Sequence, residues 1–273
     1  MFSLSRKLLL ICFASLFLGA VAPACIAAEH LSLRICADPD NLPYSDRTLH
    51  GFDNHIAELL ARDIGRKPVF VWARSRRGFL REQFNKGACD MLMGVPEGLK
   101  HVRTTRPYYR SSYVFVTRSR EHLDITGFDD PALNHKRIGL QILESDFSPP
   151  SLPLIRNGHT AQLVGYESFG KDAGNIVRAV ADKEIGVAVI WGPLAGYYAH
   201  QQLVPLSLTA VSPAVDRSGI PFVFDMAAAV HSDDTELASQ LNQAIVNDAS
   251  KIDAILRAYH VPQLPLANAG GAL

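Results

Sequence analysis

The stretch that decides the fold is residues 31–95, which read LSLRICADPDNLPYSDRTLHGFDNHIAELLARDIGRKPVFVWARSRRGFLREQFNKGACDMLMGV. Three apolar segments, at 31–37, 68–72 and 89–95, have the length and composition of buried β-strands. Two segments of helical character separate them. An order of strand, helix, strand, helix, strand predicts parallel strands joined by right-handed crossovers. The sequence therefore predicts an α/β lobe here.

The two helical segments are predicted from spacing and stop signals. Phe52, Ile56 and Leu60 recur at the spacing of one helix face, and Gly65 follows as a stop. The second helical segment covers residues 79–84 and ends before a glycine.

A second α/β unit follows at about residues 120–215. Its predicted elements, with those after it, are strands at 113–117, 137–142, 161–166, 186–191 and 222–230, and helices at 175–181, 235–246 and 251–259. A late strand and two helices left over after the second unit indicate a chain that crosses between two lobes twice. Since ligands of open parallel sheets sit at the carboxyl ends of the strands, we expect the two lobes to share one cleft.

The expected organisation of the chain has five parts. They are a signal peptide at 1–28, the first part of lobe 1 at 29–117, lobe 2 at 118–218, a return to lobe 1 at 219–262, and a flexible tail at 263–273.

The first segment has the three parts of a secretory signal peptide. Arg6 and Lys7 precede an apolar run at 8–18, and small residues at 20–28 lead to an expected cleavage near Ala28. This predicts export to the periplasm. The apolar run is too short to span a bilayer, and no other segment is apolar enough to do so.

Cys25 raises the alternative of a lipoprotein. A lipoprotein signal would place a large aliphatic residue three positions earlier, but Ala22 stands there and Pro23 follows it, which disfavours lipidation.

Removal of residues 1–28 leaves 25 basic residues, 27 less Arg6 and Lys7, against 27 acidic ones, a formal charge of −2. With so small a net charge, the mature chain has no electrostatic field that would attract nucleic acid.

Of the four cysteines only Cys36 and Cys89 remain, and two thiols in an oxidising compartment are candidates for a disulfide. Two separate buried thiols are the alternative.

The predicted strand-end loops carry a resemblance. Residues 35–44 (ICADPDNLPY), 107–109 (PYY) and 137–141 (RIGLQ) resemble the first loop, the crossover and the second-lobe strand of extracellular solute-binding proteins of the amino-acid-receptor type. The resemblance implies the two-lobed type II periplasmic binding fold, in which the chain crosses between the lobes twice.

Four further motifs resemble one branch of these proteins. Residues 76–79 (RRGF), 89–96 (CDMLMGVP), 104–111 (TTRPYYRS) and 189–197 (VIWGPLAGY) are similar to the quinoprotein-dehydrogenase-associated binding proteins of the MxaJ/XoxJ type, which are encoded beside PQQ-dependent alcohol dehydrogenases. The resemblance implies an accessory protein that assists the dehydrogenase, and we expect it to be a monomer without a cofactor or a metal. Its partner would be a quinoprotein alcohol dehydrogenase or its cytochrome c.

The sequence departs from the amino-acid receptors at both charged anchors. Gly98 stands where those receptors place an arginine for the ligand carboxylate, and Trp191 stands where they place an acid for the ligand ammonium. An amino acid would then bury two poorly compensated charges at a cost of several kcal/mol. Free amino acids are therefore expected to be poor ligands.

The candidate ligand-binding residues lie at strand ends or in the loops after them. They are Asp38, Tyr44, Arg77, Gly94, Tyr109, Gln141, Asp146 and Trp191. Four have a purely structural alternative: Asp38 as a turn cap with Asn41, Arg77 as part of a solvated basic face, Asp146 as a helix or turn cap, and Trp191 as interlobe packing instead of an aromatic wall or a partner anchor.

A catalytic hypothesis rests on Glu144 and Asp146, which follow a predicted strand and offer an acid and a base to a dehydratase of the same fold. The alternative for Asp146 is a helix or turn cap. No nucleophile–histidine–acid order, metal-ligand spacing or phosphate-binding glycine loop is present in the sequence. The prediction is a binding protein that serves a PQQ-dependent alcohol dehydrogenase and that binds either a small ligand or the dehydrogenase through its interlobe cleft. A transport receptor for a ligand other than an amino acid is the alternative, and a cleft dehydratase is the third.

Overall fold

The computed structural model describes residues 31–266. The predicted signal peptide at 1–28, with Cys25, and the end of the predicted tail at 267–273 lie outside the described residues. Within 31–266, no helix combines the length and apolar character needed to cross a membrane.

The first part of the chain forms the predicted β-α-β-α-β unit and adds a short hairpin. Its elements are β1 (Ser32–Ala37), β2 (Asp40–Asn41), β3 (Ser45–Asp46), α1 (Phe52–Asp63), β4 (Lys67–Trp72), α2 (Phe79–Glu82), β5 (Met91–Pro96) and β6 (Arg103–Thr104). β1 lies between β4 and β5 and pairs in parallel with both. The second helix is shorter than predicted, because α2 ends at Glu82 and a 3-10 turn at Phe84–Lys86 follows it.

Helix α1 follows its sequence pattern closely. Phe52, Ile56 and Leu60 have no exposed surface and pack in the core of the first lobe. At the start of the helix, the side-chain oxygen of Asn54 accepts a hydrogen bond from the Gly51 N–H at 3.2 Å, which satisfies a backbone donor that the helix leaves free.

The second part of the chain builds the other lobe. Its elements are β7 (Tyr109–Arg118), β8 (Ile138–Leu143), β9 (Asp146–Phe147), α3 (Ser151–Arg156), β10 (Leu163–Glu167), α4 (Asn175–Ala181), β11 (Val187–Trp191), α5 (Gly192–His200) and β12 (Leu206–Ala210). β8 pairs in parallel with β10 and β11. Helix α5 and strand β12 are additions that the sequence pattern did not predict. β13 (Val223–Val230), α6 (Thr235–Asn247) and α7 (Ala249–Ala258) then complete the first lobe.

Strand β7 joins the lobes. The strand order β10-β8-β11-β7-β13-β5-β1-β4 runs through both lobes. Residues 109–112 of β7 pair with β13, whereas residues 113–118 pair with β11 and β12. The chain leaves lobe 1 along β7 and returns between β12 and β13, so it crosses twice. The expected boundary after 117 falls near the end of β7, and the one after 218 falls in the returning segment.

The sheet of the second lobe is buried on both faces. Phe115 and Val189 pack in one apolar cluster, and Val114 and Ile190 pack in another. Because successive strand residues point to opposite faces, a strand covered on both sides must be apolar throughout. This explains the unbroken apolar runs from which the sequence predicted these strands.

The expected disulfide is present. Cys36 in β1 and Cys89, just before β5, are bonded, with their Cα atoms 5.5 Å apart. The pair lies in a small buried cluster with Phe84, Leu92 and Ala229. It fastens the loop before β5 to the central strand of lobe 1.

We expect loss of this disulfide to lower the free energy of unfolding by about 4 kcal/mol, because the bond closes a loop of 53 residues in the unfolded chain. Urea unfolding of residues 29–273 would compare the wild type with the Cys36→Ala/Cys89→Ala variant. Wild type under reducing conditions serves as the control and should match the variant. Two titratable thiols in the denatured, unreduced wild type would contradict the bond.

Candidate ligand-binding cleft

A cavity of about 530 Å³ lies between the two lobes, at the carboxyl ends of the parallel strands β1 and β5 of lobe 1 and β8 and β11 of lobe 2. Lobe 1 provides most of the wall. Lobe 2 contributes Gln141, Leu143, Ser168, Phe169, Trp191 and Leu194. A volume of this size falls within the range of about 300–1,000 Å³ found for small-molecule sites.

Trp191 forms the aromatic wall of the cavity. Its ring packs edge-to-face against Tyr113 and Phe224, with centroid distances of 5.5 and 5.6 Å. It contacts apolar clusters of both lobes. The backbone N–H of Trp191 donates to Gln141 Oε1 at 2.7 Å, so the two residues hold each other at the end of adjacent strands.

A buried carboxyl group lies at the base of the cavity. Asp53, in the first turn of α1, is only 6% exposed and accepts a hydrogen bond from the Tyr108 hydroxyl at 2.9 Å. That hydroxyl also accepts a hydrogen bond from the Gly94 N–H at 2.9 Å. Asp53 was not among the predicted site residues, since an acid in the first turn of a helix is ordinarily explained by the helix dipole.

The surroundings of Asp53 change its acidity. Burial raises the pKa of the Asp53 carboxyl to about 7, and the hydrogen bond from Tyr108 opposes part of that rise. Burial and the neighbouring carboxyl also raise the pKa of Tyr108 well above its ordinary value, so its phenol remains a proton donor. The base of the cavity therefore holds a carboxyl group that changes charge near neutral pH.

The carboxylate of Asp38, by contrast, is already hydrogen-bonded to the backbone. It is 4% exposed, and its two carboxylate oxygens accept hydrogen bonds from the Asp40 N–H at 2.9 Å and from the Ser75 N–H at 2.7 Å. It lines the cavity, but it holds the loop after β1 and leaves no oxygen without a partner. Asp38 therefore acts as a turn cap, as the structural alternative predicted, but it caps the N–H of Asp40 and not that of Asn41.

The structure brings five of the eight predicted site residues together around the cavity: Asp38, Tyr44, Gly94, Gln141 and Trp191. It places Tyr109, Arg77 and Asp146 elsewhere. Tyr109 is 1% exposed and packs in the core of lobe 1, where its ring contacts Phe52 and Tyr108. This corrects the expectation that Tyr109 lines the cleft.

Arg77 and Asp146 join the lobes at the rim, outside the cavity lining. Arg77 Nε lies 3.3 Å from Glu144 Oε2, and its Nη2 lies 3.4 Å from Asp146 Oδ2. The Arg77 backbone N–H also donates to Glu144. A second contact joins the Tyr198 hydroxyl to the Leu42 carbonyl at 3.4 Å. The structure therefore has the lobes in contact at two places beside the cavity.

The dehydratase hypothesis gains no geometric support. Glu144 and Asp146 do not line the cavity, and both side chains pair with Arg77 at the exposed rim. Among residues 31–266, no group of three or more His, Cys, Asp or Glu side chains is arranged to hold a metal ion.

The cavity lining contains acids but no base. None of the described lining residues is Lys, Arg or His. Gly98, at the position where the amino-acid receptors place an arginine, is exposed and lies outside the lining. An anionic ligand group would enter without a cation to compensate its charge.

Comparison with known proteins agrees with this architecture. The family model for bacterial extracellular solute-binding proteins, family 3, matches residues 33–261. The protein MoxJ of Methylorubrum extorquens is 32% identical over 257 residues, which cover 87% of this chain and 83% of that protein.

Two solved structures are also similar. The crystal structure of MxaJ from Methlophaga aminisulfidivorans MPT superposes with a TM-score of 0.73 at 30% identity and covers 85% of this chain and 100% of the other. The crystal structure of the periplasmic binding protein XoxJ from Methylobacterium extorquens AM1 gives a TM-score of 0.71 at 32% identity, with 85% and 99% covered.

Gly94 should be sensitive to a single methyl group. Its φ is +63°, and a Cβ there would lie 2.7 Å from Asp53 Oδ2, whereas Gly98, with a φ of +73°, has nothing within 4 Å. Both alanine variants must keep a left-handed backbone conformation, which lowers the free energy of unfolding by about 1–2 kcal/mol. We expect Gly94→Ala to cost about 1–3 kcal/mol more than Gly98→Ala, because it also overpacks a buried contact.

Chemical unfolding of the two variants measures that difference. In the Asp53→Ala background the extra cost of Gly94→Ala should vanish, since the crowded oxygen is then absent. Equal costs for Gly94→Ala and Gly98→Ala in the wild-type background would show that the Asp53 contact is not tight.

Because of the Asp53 carboxyl, the free energy of unfolding should fall as pH rises from about 4 to 7. Over this interval its carboxyl ionises in the unfolded chain, with a pKa near 3.9, but stays protonated in the folded protein, with a pKa of about 7. The unfolded state then binds fewer protons. The loss should reach at most about 4 kcal/mol and level off above pH 7.

The measurement is the free energy of unfolding of wild type minus that of Asp53→Asn, which cannot ionise at this site, across pH 4–8. We expect this difference to decrease as pH rises. Parallel curves would mean that the carboxyl is not held neutral by burial.

Proposed function

The chain belongs to the bacterial extracellular solute-binding proteins of family 3, and from this premise we propose that it is a periplasmic accessory factor of a PQQ-dependent alcohol dehydrogenase system. In this role it holds a small ligand between its lobes and associates with the quinoprotein dehydrogenase or its cytochrome c. Export through the segment at 1–28 is part of the proposal. The role requires binding and no catalytic step.

The observation that carries the proposal is the interlobe cavity. It has the size of a small-molecule site and strand-end walls from both lobes, with Trp191 and Gly98 at the positions where amino-acid receptors place charged anchors. The lobe arrangement of a solute receptor is therefore kept, while the charges that select an amino acid are absent from the described lining. A receptor with such a change in its site serves a different ligand.

The link to the dehydrogenase is supported by sequence. The motifs at 76–79, 89–96, 104–111 and 189–197 resemble the branch encoded beside such enzymes. Matched proteins named MoxJ, MxaJ and XoxJ cover most of the chain at about 30% identity.

The lobe contacts give a physical route from ligand to partner. A ligand that fills the cavity would contact Gln141 and Trp191 of lobe 2 together with the lobe 1 wall, so it stabilises the conformation in which Arg77 meets Glu144 and Asp146. The outer surface formed by both lobes in that conformation would then be available to the dehydrogenase.

Surface plasmon resonance with the purified dehydrogenase of the same organism tests the association. We expect a dissociation constant at or below about ten micromolar. Salt dependence should be modest, because the mature chain carries a formal charge of only −2. An amino-acid-binding protein of the same fold is the control and should not bind. No binding at tens of micromolar would contradict the proposed partner.

Trp191→Ala separates a ligand in the cleft from a partner in the cleft. Because Trp191 faces the cavity, we expect the variant to keep its affinity for the dehydrogenase within about threefold. A loss of roughly thirtyfold, the cost of about 2 kcal/mol for removing a buried Trp anchor, would mean that a segment of the dehydrogenase itself enters the cleft.

A further inference from the structure

Several polar atoms of the described lining residues have no hydrogen-bond partner, and two of them, on Asp53 and Gln141, lie on opposite lobes. Asp53 uses Oδ1 for Tyr108 and leaves Oδ2 without a hydrogen bond. Gln141 uses Oε1 for the Trp191 N–H and leaves Nε2 without an acceptor. Both residues line the cavity and are at most 6% exposed. Neither atom is fully enclosed by protein, so a molecule in the cavity can pair with each of them.

The orientation of the Gln141 amide is set by its neighbour. A backbone N–H can donate only to the side-chain oxygen, so the amino group must be the atom left for the cavity. Lobe 2 therefore offers a donor, and lobe 1 offers a carboxyl group that can accept or, when protonated, donate.

Asn54 adds an independent sign of a missing partner. Its side-chain oxygen accepts hydrogen bonds from the Asp46 N–H at 3.0 Å and the Gly51 N–H at 3.2 Å, which turns its amino group away from both. That amino group is buried and without a hydrogen bond, and Asn54 lines the cavity at 1% exposure. Asn41, another lining residue, has a buried Oδ1 without a hydrogen bond, so the lining offers an unpaired acceptor as well as an unpaired donor. A ligand group that both donates and accepts hydrogen bonds is thus favoured.

Charge limits the ligand further. With no basic side chain among the described lining residues, a carboxylate or phosphate would lose its hydration without compensation. The carboxylate of Asp38 is already used by the backbone, so an ammonium group would find acceptors in Asp53 and in Asn41 Oδ1, and it could only donate. It would leave the amino groups of Gln141 and Asn54 unpaired.

The rest of the wall is apolar. Phe70, Phe79, Leu92, Met93, Phe224 and Met226 line the cavity on the side of lobe 1. A ligand that fills the space must therefore place most of its surface against carbon atoms.

We propose that the cavity binds an uncharged, largely apolar hydroxyl compound whose hydroxyl group hydrogen-bonds with Asp53 and which accepts a hydrogen bond from Gln141. A hydroxyl group both donates and accepts, so it satisfies Asp53 in either protonation state. The inference rests on the small-ligand part of the proposed function and names its ligand class.

The test uses four probes with one apolar body and different head groups: 3-phenylpropan-1-ol, 3-phenylpropylammonium, 3-phenylpropanoate and propylbenzene. Each is titrated at pH 6 into residues 29–273 labelled with ¹⁵N. The indole resonance of Trp191 reports occupancy of the cavity, and that of Trp72, which does not line it, is the internal control. We expect the alcohol to bind about tenfold or more tightly than the other three, because a site built for hydrogen bonds rejects analogues that lack them.

Gln141→Glu tests the lobe 2 donor. The variant keeps an oxygen for the Trp191 N–H but replaces the free amino group by a second oxygen. We expect the alcohol to bind about tenfold more weakly and the ammonium probe more tightly. Gln243→Glu makes the same change on exposed helix α6 and should leave all four affinities unchanged.

Other outcomes overturn the inference. If the carboxylate or ammonium probe binds as tightly as the alcohol, the site is ionic. If propylbenzene binds as tightly as the alcohol, the polar atoms of the lining do not contribute to affinity. If none of the four probes shifts the Trp191 resonance at about 10 mM, the ligand class is wrong even where the dehydrogenase binds. Alcohol binding without dehydrogenase association would support the inference and contradict only the proposed partner.

Discussion

The hydroxyl group of Tyr108 fixes the part of lobe 1 on which the cleft is built. It donates to Asp53 of α1 and accepts from the Gly94 N–H of β5, both at 2.9 Å. The Tyr108 backbone N–H donates to the Met226 carbonyl of β13, the returning strand, at 2.8 Å. Helix α1, strand β5 and both interlobe connections therefore meet at one residue, directly before the chain enters β7. The arrangement requires glycine at 94, because any Cβ there would meet Asp53.

The same contact determines the chemistry of the cleft. It buries a carboxyl group at the base of a cavity whose described lining has no cation, and burial keeps the pKa of that group near 7. In a site of this kind a zwitterion would lose hydration at both ends and gain little in return. The fold of an amino-acid receptor can thus be kept while its selectivity changes, since selectivity depends on a few side chains at the strand ends and not on the sheet.

The central strands of lobe 2 were predictable because they are buried on both faces and form unbroken apolar runs. The strand-end rule also located Asp38, Gln141 and Trp191 at the cleft. Arg77 and Asp146 were placed in the site because they follow strand ends, but their loops reach past the cavity to the rim. Tyr109 was misassigned, and Asp53 was missed, because both are buried by residues distant in sequence: Phe52 of α1 packs on Tyr109, and Tyr108 and Gly94 enclose Asp53. Helix α5 begins at Gly192-Pro193, and a proline in the first turn is a helix start signal that the sequence itself carries.

The most direct test of the account is the identity of the molecule that the protein carries in its own cell. Mature protein purified from the native periplasm without unfolding would be analysed by native mass spectrometry, and the bound molecule would be released and identified. The account predicts an uncharged, mostly apolar compound that bears a hydroxyl group. A bound amino acid or organic acid would contradict it, because the described lining of the cleft has no group to hold a carboxylate.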